Sequence, residues 1–104
     1  MLDRREEAAE AYTQLIGLTP SAQLLIIIGE ILHQTGNTDA EIAAYATAIE
    51  RNPSIAVGYN RLGALLEKLG RNDEAIKFYE QAVTIGAADE MTVNELQRLK
   101  GDAA

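Results

Sequence analysis

Cysteine is absent from this 104-residue chain. Its absence removes disulfides, thiolate metal sites and cysteine nucleophiles together, and it fits a reducing compartment. Positive charge is scarce. Nine Lys and Arg stand against sixteen Asp and Glu, a net charge of -7, and the basic residues form no stripe. Such a field does not hold phosphate backbones, so no nucleic acid is expected as a partner. Long apolar runs are missing too. The densest, AQLLIIIGEIL at residues 22–32, is broken by Gln23 and Glu30 far short of the ~18 to 20 residues that a membrane helix needs. The N-terminus, MLDRREEAAEAY, is charged and lacks the continuous apolar core of a secretory signal. No membrane contact is expected, and the expected location is cytoplasmic. With 47% hydrophobic residues, the length suffices for one modest core, so a single domain over residues 1–104 is expected.

What the chain does have is a repeat. Displacing it by 34 residues pairs Ala22 with Ala56, Gly29 with Gly63, Leu32 with Leu66 and Gly36 with Gly70. Asp39 then pairs with Asp73, Ile42 with Ile76, Tyr45 with Tyr79 and Ala48 with Ala82. A fixed period of this size marks stacked helical hairpins. Residues 22–35 and 56–69 carry apolar residues three and four apart and end at a glycine, as a first helix would. The segments DAEIAAYATAIE and DEAIKFYEQAVT follow, with Thr38 and Asn72 as expected N-caps and Ile, Tyr and Ala on one face. Pro20 and Pro53 close the segments before them.

The two ends read as half repeats. Residues 2–17 place Leu2, Ala9, Tyr12 and Ile16 on one helical face, with Glu and Arg on the other. At the far end, DEMTVNELQRLK has Asp89 as N-cap and Val93, Leu96 and Leu99 as an apolar stripe. Six helices are therefore predicted, near residues 2–17, 22–35, 39–51, 55–69, 73–86 and 90–100, with no strand. Ala8, Ala11 and Leu15 are expected to be only partly covered, leaving an apolar edge suited to symmetric pairing of two copies.

The pattern resembles the tetratricopeptide-repeat family. In the second repeat Tyr59, Leu62, Gly63, Leu66, Ala75, Tyr79 and Ala82 occupy its places, and only the closing proline is replaced, by Ala87. In the first, Leu25, Ile28, Gly29, Leu32, Tyr45, Ala48 and Pro53 match, but Glu41 stands where the family has a small alanine. The expected reason is a capping box in which Glu41 reaches back to the N–H of Thr38. Gly29 and Gly63 then lie where the helices of a hairpin approach closely, and Ala48, Ala75 and Ala82 make room for Tyr45 and Tyr79. The resemblance implies an all-α solenoid of stacked antiparallel hairpins. It has a half repeat at 2–20, repeats at 22–55 and 56–89, and a capping helix at 90–100. The half repeat at the start also fits a piece of a longer array.

The resemblance further implies a concave groove lined by the first helices. It places Gln23, Ile26, Glu30 and His33 there from the first repeat, Val57, Asn60, Ala64 and Glu67 from the second, and Met91, Asn94 and Arg98 from the last helix. Packing accounts for Leu24, Leu25, Ile28, Ile31 and Leu32, which leaves Ile26 and Ile27 as the surplus of the apolar run. They either complete contacts with the N-terminal helix or form a protein-binding surface. Family members that grip the acidic tail of a chaperone use a Lys, two Asn and basic residues. Those places hold Ile26, Glu30, Arg61, Met91 and Glu95 here, so that clamp is missing. His33 with Glu30 and Glu67 is a poor zinc ligand set, no nucleophile has a recognisable base, and no phosphate loop follows a strand. The expectation is a non-catalytic module, with no metal or cofactor, that binds a peptide or helix of a partner protein. The alternative is a self-assembling scaffold unit, a homodimer being the simplest form.

Overall fold

The computed structural model describes the backbone of residues 4–18, 20–86 and 88–103, and the side chains of residues 10–12, 14–18, 20–86 and 88–101. Leu2, Ala87 and the side chains of Ala8 and Ala9 lie outside the described residues. Among the described residues six α-helices run in order: α1 (Arg4–Leu18), α2 (Ala22–Thr35), α3 (Thr38–Arg51), α4 (Ala56–Lys68), α5 (Asn72–Thr84) and α6 (Glu90–Ala103). No strand occurs among the described residues. The chain divides into two compact units, residues 1–53 with α1 to α3 and residues 54–104 with α4 to α6.

The first unit is built on the α2–α3 hairpin. Ser21 starts α2, its hydroxyl oxygen accepting the Leu24 N–H at 3.3 Å. Gly36 stops it in the left-handed conformation, φ 78, and the Asn37 N–H returns to the Leu32 carbonyl at 3.1 Å. The same stop recurs at Gly70, φ 79, with the Arg71 N–H on the Leu66 carbonyl at 2.8 Å. Leu25, Ile28 and Leu32 of α2 are buried against a hairpin partner that brings Tyr45 into the core. A Cβ added at Gly29 would lie 2.4 Å from Cε1 of Tyr45, so only glycine lets the ring in. Ile16 anchors α1, which packs more broadly on α3 than on α2.

The second unit repeats the arrangement. Leu62 and Leu66 of α4 meet α5, and a Cβ at Gly63 would lie 2.5 Å from Cε1 of Tyr79. The helix α6 packs on α5 with Leu96 and Leu99 buried. Its cap is the expected one, Asp89, whose carboxylate accepts the Thr92 N–H at 2.7 Å.

Two expected caps shift by one residue. The first helical bonds run from the Glu41 N–H to the Asn37 carbonyl and from the Ala75 N–H to the Arg71 carbonyl. Thr38 and Asn72 are therefore the first helical residues, and neither Asn37 nor Arg71 caps with its side chain. Asn37 uses its amide instead to donate to the Thr35 hydroxyl at 2.8 Å. The capping box does not form either. Glu41 is buried and its carboxylate faces His33 Nδ1 at 3.1 Å, because the site that holds Ala75 in the second repeat points into the hairpin.

Candidate functional site

The residues named for the groove are best described within each unit. In α2 the ~100° turn per residue sets a core face of Leu25, Ile28 and Leu32 between two flanks. Ile26 lies on one flank, Leu24 and Ile31 on the other, and Ile27 faces away. Ile26 is enclosed, 7% exposed, rather than an open groove residue. The opposite flank is the open one. Leu24 and Ile31 are 51% and 40% exposed, against the expectation that packing accounts for them, because α1 settles chiefly on α3 and leaves that side of α2 bare. Ile27, 47% exposed, joins them. Gln23 is exposed beside this stripe, His33 is exposed on the Ile26 side of the helix, and Glu30 is half-buried. His33 is engaged by Glu41, and among the described residues no three His, Asp or Glu side chains converge as metal ligands would.

In the second unit α4 and α6 are tied by side chains. The buried Thr92 hydroxyl donates to Asn60 Oδ1 at 2.8 Å, and the Arg98 guanidinium reaches the Glu67 carboxylate. Along this seam Val57 and Met91 are 42% and 66% exposed, and Ala64 and Asn94 are also open. Ala64, Glu67, Lys68, Tyr79, Met91 and Glu95 line a shallow pocket of about 320 Å³.

The polar groups of the pocket form a chain. The Tyr79 hydroxyl donates to Glu67 Oε1 at 3.1 Å, and Arg98 donates to Glu95 Oε2 from Nη2 at 2.7 Å and from Nε at 3.1 Å. Partial burial, then the nearby Glu95 carboxylate, hold the Glu67 carboxyl above the usual carboxylate range. Glu95 moves the other way, chiefly because Arg98 donates to it. Burial, then the Glu67 carboxylate, raise the Tyr79 phenol. The arrangement holds these side chains in place against one another. It presents apolar atoms of Val57, Ala64 and Met91 beside an oriented row of Asn60, Glu67, Arg98 and Glu95, with no nucleophile among them. The sequence pattern did not reveal the Tyr79–Glu67 and Thr92–Asn60 bonds. The 34-residue offset did hold a clue to the open flank of α2, since Leu24 falls opposite Gly58.

Comparison with known proteins agrees with this architecture. The chain is similar to the structure titled "Crystal structure of MamA", at 25% identity and a TM-score of 0.76, over 95% of this chain and 59% of that one, so it spans about three fifths of that chain's length. It is also similar in fold to the first TPR of Spaghetti (RPAP3) bound to HSP90 peptide SRMEEVD. There the identity is 22% and the TM-score 0.73, over 96% of this chain and 80% of that one. No curated protein matches the chain. No described helix is long and apolar enough to cross a membrane. One tetratricopeptide-repeat profile matches residues 2–54 and a second matches residues 56–85. Those matches, the paired Gly–Tyr contacts and the 34-residue period agree, and the chain belongs to the tetratricopeptide-repeat family.

Proposed function

We propose that the chain is a non-catalytic interaction module that holds a peptide segment or a helix of another protein on the α4–α6 seam. The observation that carries this reading is the seam's composition. Val57, Ala64 and Met91 are open to solvent next to polar side chains already held in place by one another. Apolar side chains of the partner are buried on Val57, Ala64 and Met91. Asn60, Asn94, Glu67 and Arg98 meet the partner's backbone and charge. Gln23, Glu30 and His33 offer polar contacts of the same kind on α2, and Ile26 takes no part. For so small a surface an affinity near 1 μM, about -8 kcal/mol, is expected.

The family supports a protein partner, and the peptide in the Spaghetti (RPAP3) structure supports a linear segment. An acidic tail suits this seam poorly, because Met91 and Glu95 stand where the chaperone-gripping members carry basic residues. The net charge of -7 disfavours nucleic acid, and the cysteine-free composition suits the cytoplasm. The test is selection from a random peptide library, followed by titration calorimetry of the best peptide. Val57→Asp and Met91→Glu should each weaken it at least about tenfold with helicity unchanged. Unchanged affinity in both variants overturns the reading.

A further inference from the structure

The pocket in the α4–α6 seam has apolar walls and a charged rim. Ala64 and Met91 supply aliphatic atoms, and at about 320 Å³ it has room for one long side chain. Its rim is short of positive charge. Glu67 and Glu95 come within hydrogen-bond reach of each other, and a single guanidinium, Arg98, is shared between them. Lys68 also borders the pocket, yet it is exposed at the last residue of α4, and among the described residues it ion-pairs with neither carboxylate. Burial comes first and the facing Glu95 next among the causes that hold the Glu67 carboxyl above its usual range, so one cation does not offset the pair.

The two carboxylates are not equally occupied. Glu67 accepts the Tyr79 hydroxyl on Oε1 and Arg98 on Oε2. On Glu95 both Arg98 bonds, from Nε at 3.1 Å and Nη2 at 2.7 Å, fall on Oε2, and no described donor reaches Oε1. One acceptor beside the pocket is left for a partner.

We propose that this pocket takes a lysine or arginine side chain of the partner segment, its aliphatic stem on Met91 and Ala64 and its cation on Glu95. The inference rests on the seam being the partner surface and gives the chemistry of that partner as a basic segment. Charge selects the occupant. An acidic side chain would meet two carboxylates, and an aliphatic one would strip their water without giving them a donor. A long cationic side chain matches both the walls and the rim, since its stem is apolar and its end is charged. The net charge of -7 draws a basic segment in from a distance as well.

Peptides selected from a random library on the whole chain should carry Lys or Arg at one fixed position. Titration calorimetry then reads a cycle on the best of them. Replacing that residue of the peptide by Met should weaken binding to the parent protein at least about fivefold. Glu95→Gln should weaken the basic peptide to the same degree and leave the Met peptide within about twofold of its parent affinity. Glu74→Gln, which removes the same unit of charge from the start of α5, should change neither. A selected set with no basic position, or a Lys-to-Met loss that persists undiminished in Glu95→Gln, overturns the proposal. If Val57→Asp and Met91→Glu still weaken binding in that case, the seam stands and only the basic anchor falls; if they do not, both fall.

Discussion

Replacing Gly63 by alanine puts the packing argument at risk in a measurable way. In an open helix the change stabilises by about 0.5 to 1 kcal/mol, because alanine loses less backbone entropy. At Gly63 the new methyl would sit 2.5 Å from Cε1 and 2.7 Å from Cδ1 of Tyr79. These are ring atoms of a side chain that is 2% exposed, not the flexible tip of a long one. The ring must move or the helices must part, an overpacking cost of about 1 to 3 kcal/mol. Displacing the ring also pulls the Tyr79 hydroxyl from Glu67, worth about 0.5 to 1.5 kcal/mol. Clash and lost bond together outweigh the propensity gain, for a net loss of about 1 to 3 kcal/mol. That corresponds to a fall in Tm of roughly 5 to 20 °C for a chain of this size.

Thermal and urea unfolding followed by circular dichroism read this directly. Gly101→Ala is the internal control, since nothing lies within 4 Å of its would-be Cβ and the change should raise Tm slightly. A double-mutant cycle completes the test. In a Tyr79→Leu background Gly63→Ala should lose most of its cost, giving a coupling of about 1 to 2 kcal/mol. A Gly63→Ala protein as stable as the parent, or a cycle with no coupling, would refute the argument that glycine is there to admit the ring.

Three further outcomes follow from the same structure. His33→Ala strands the buried Glu41 carboxylate and should destabilise by about 1 to 3 kcal/mol. Glu41→Ala restores the residue of the second repeat, leaves only a solvent-accessible His33, and should be neutral or mildly stabilising in urea unfolding. Because the Glu67 carboxyl is held above its ordinary value of 4.5, the folded state binds that proton more tightly than the unfolded one. The stability contributed by Glu67 is then full at low pH and lost as pH rises through the raised value. Urea midpoints at pH 4.5 and 7 should diverge less in Glu67→Gln than in the parent. Asp89→Ala removes the acceptor of the Thr92 N–H and should cost about 1 kcal/mol, read as a lower Tm and faster amide exchange in the first turn of α6.

Most of the fold was legible in the sequence because it rests on short-range, periodic features. Glycines at 29 and 63 opposite tyrosines at 45 and 79, left-handed stops at Gly36 and Gly70, and the Asp89 cap are each set by a few neighbouring residues. The site was less legible. A run of five apolar residues from Leu24 to Ile28 wraps around its helix, and periodicity cannot tell which flank a neighbour will cover. The covered flank proved to be that of Ile26, and the open one that of Leu24 and Ile31. Glu41 misled for a related reason. The spacing Thr38 to Glu41 fits a capping box, but the position faces the hairpin interior, where His33 is the available partner. The seam between α4 and α6 depends on pairs 31 and 32 residues apart, which no local pattern encodes.

The central claim, that the α4–α6 seam receives a partner segment, is tested most directly by amide chemical-shift mapping with a library-selected peptide. The account predicts that shifts concentrate on Val57, Asn60, Ala64, Met91, Asn94 and Arg98, that they saturate at micromolar peptide, and that Met91→Glu abolishes them. Shifts centred elsewhere, or an undiminished response in Met91→Glu, would contradict it.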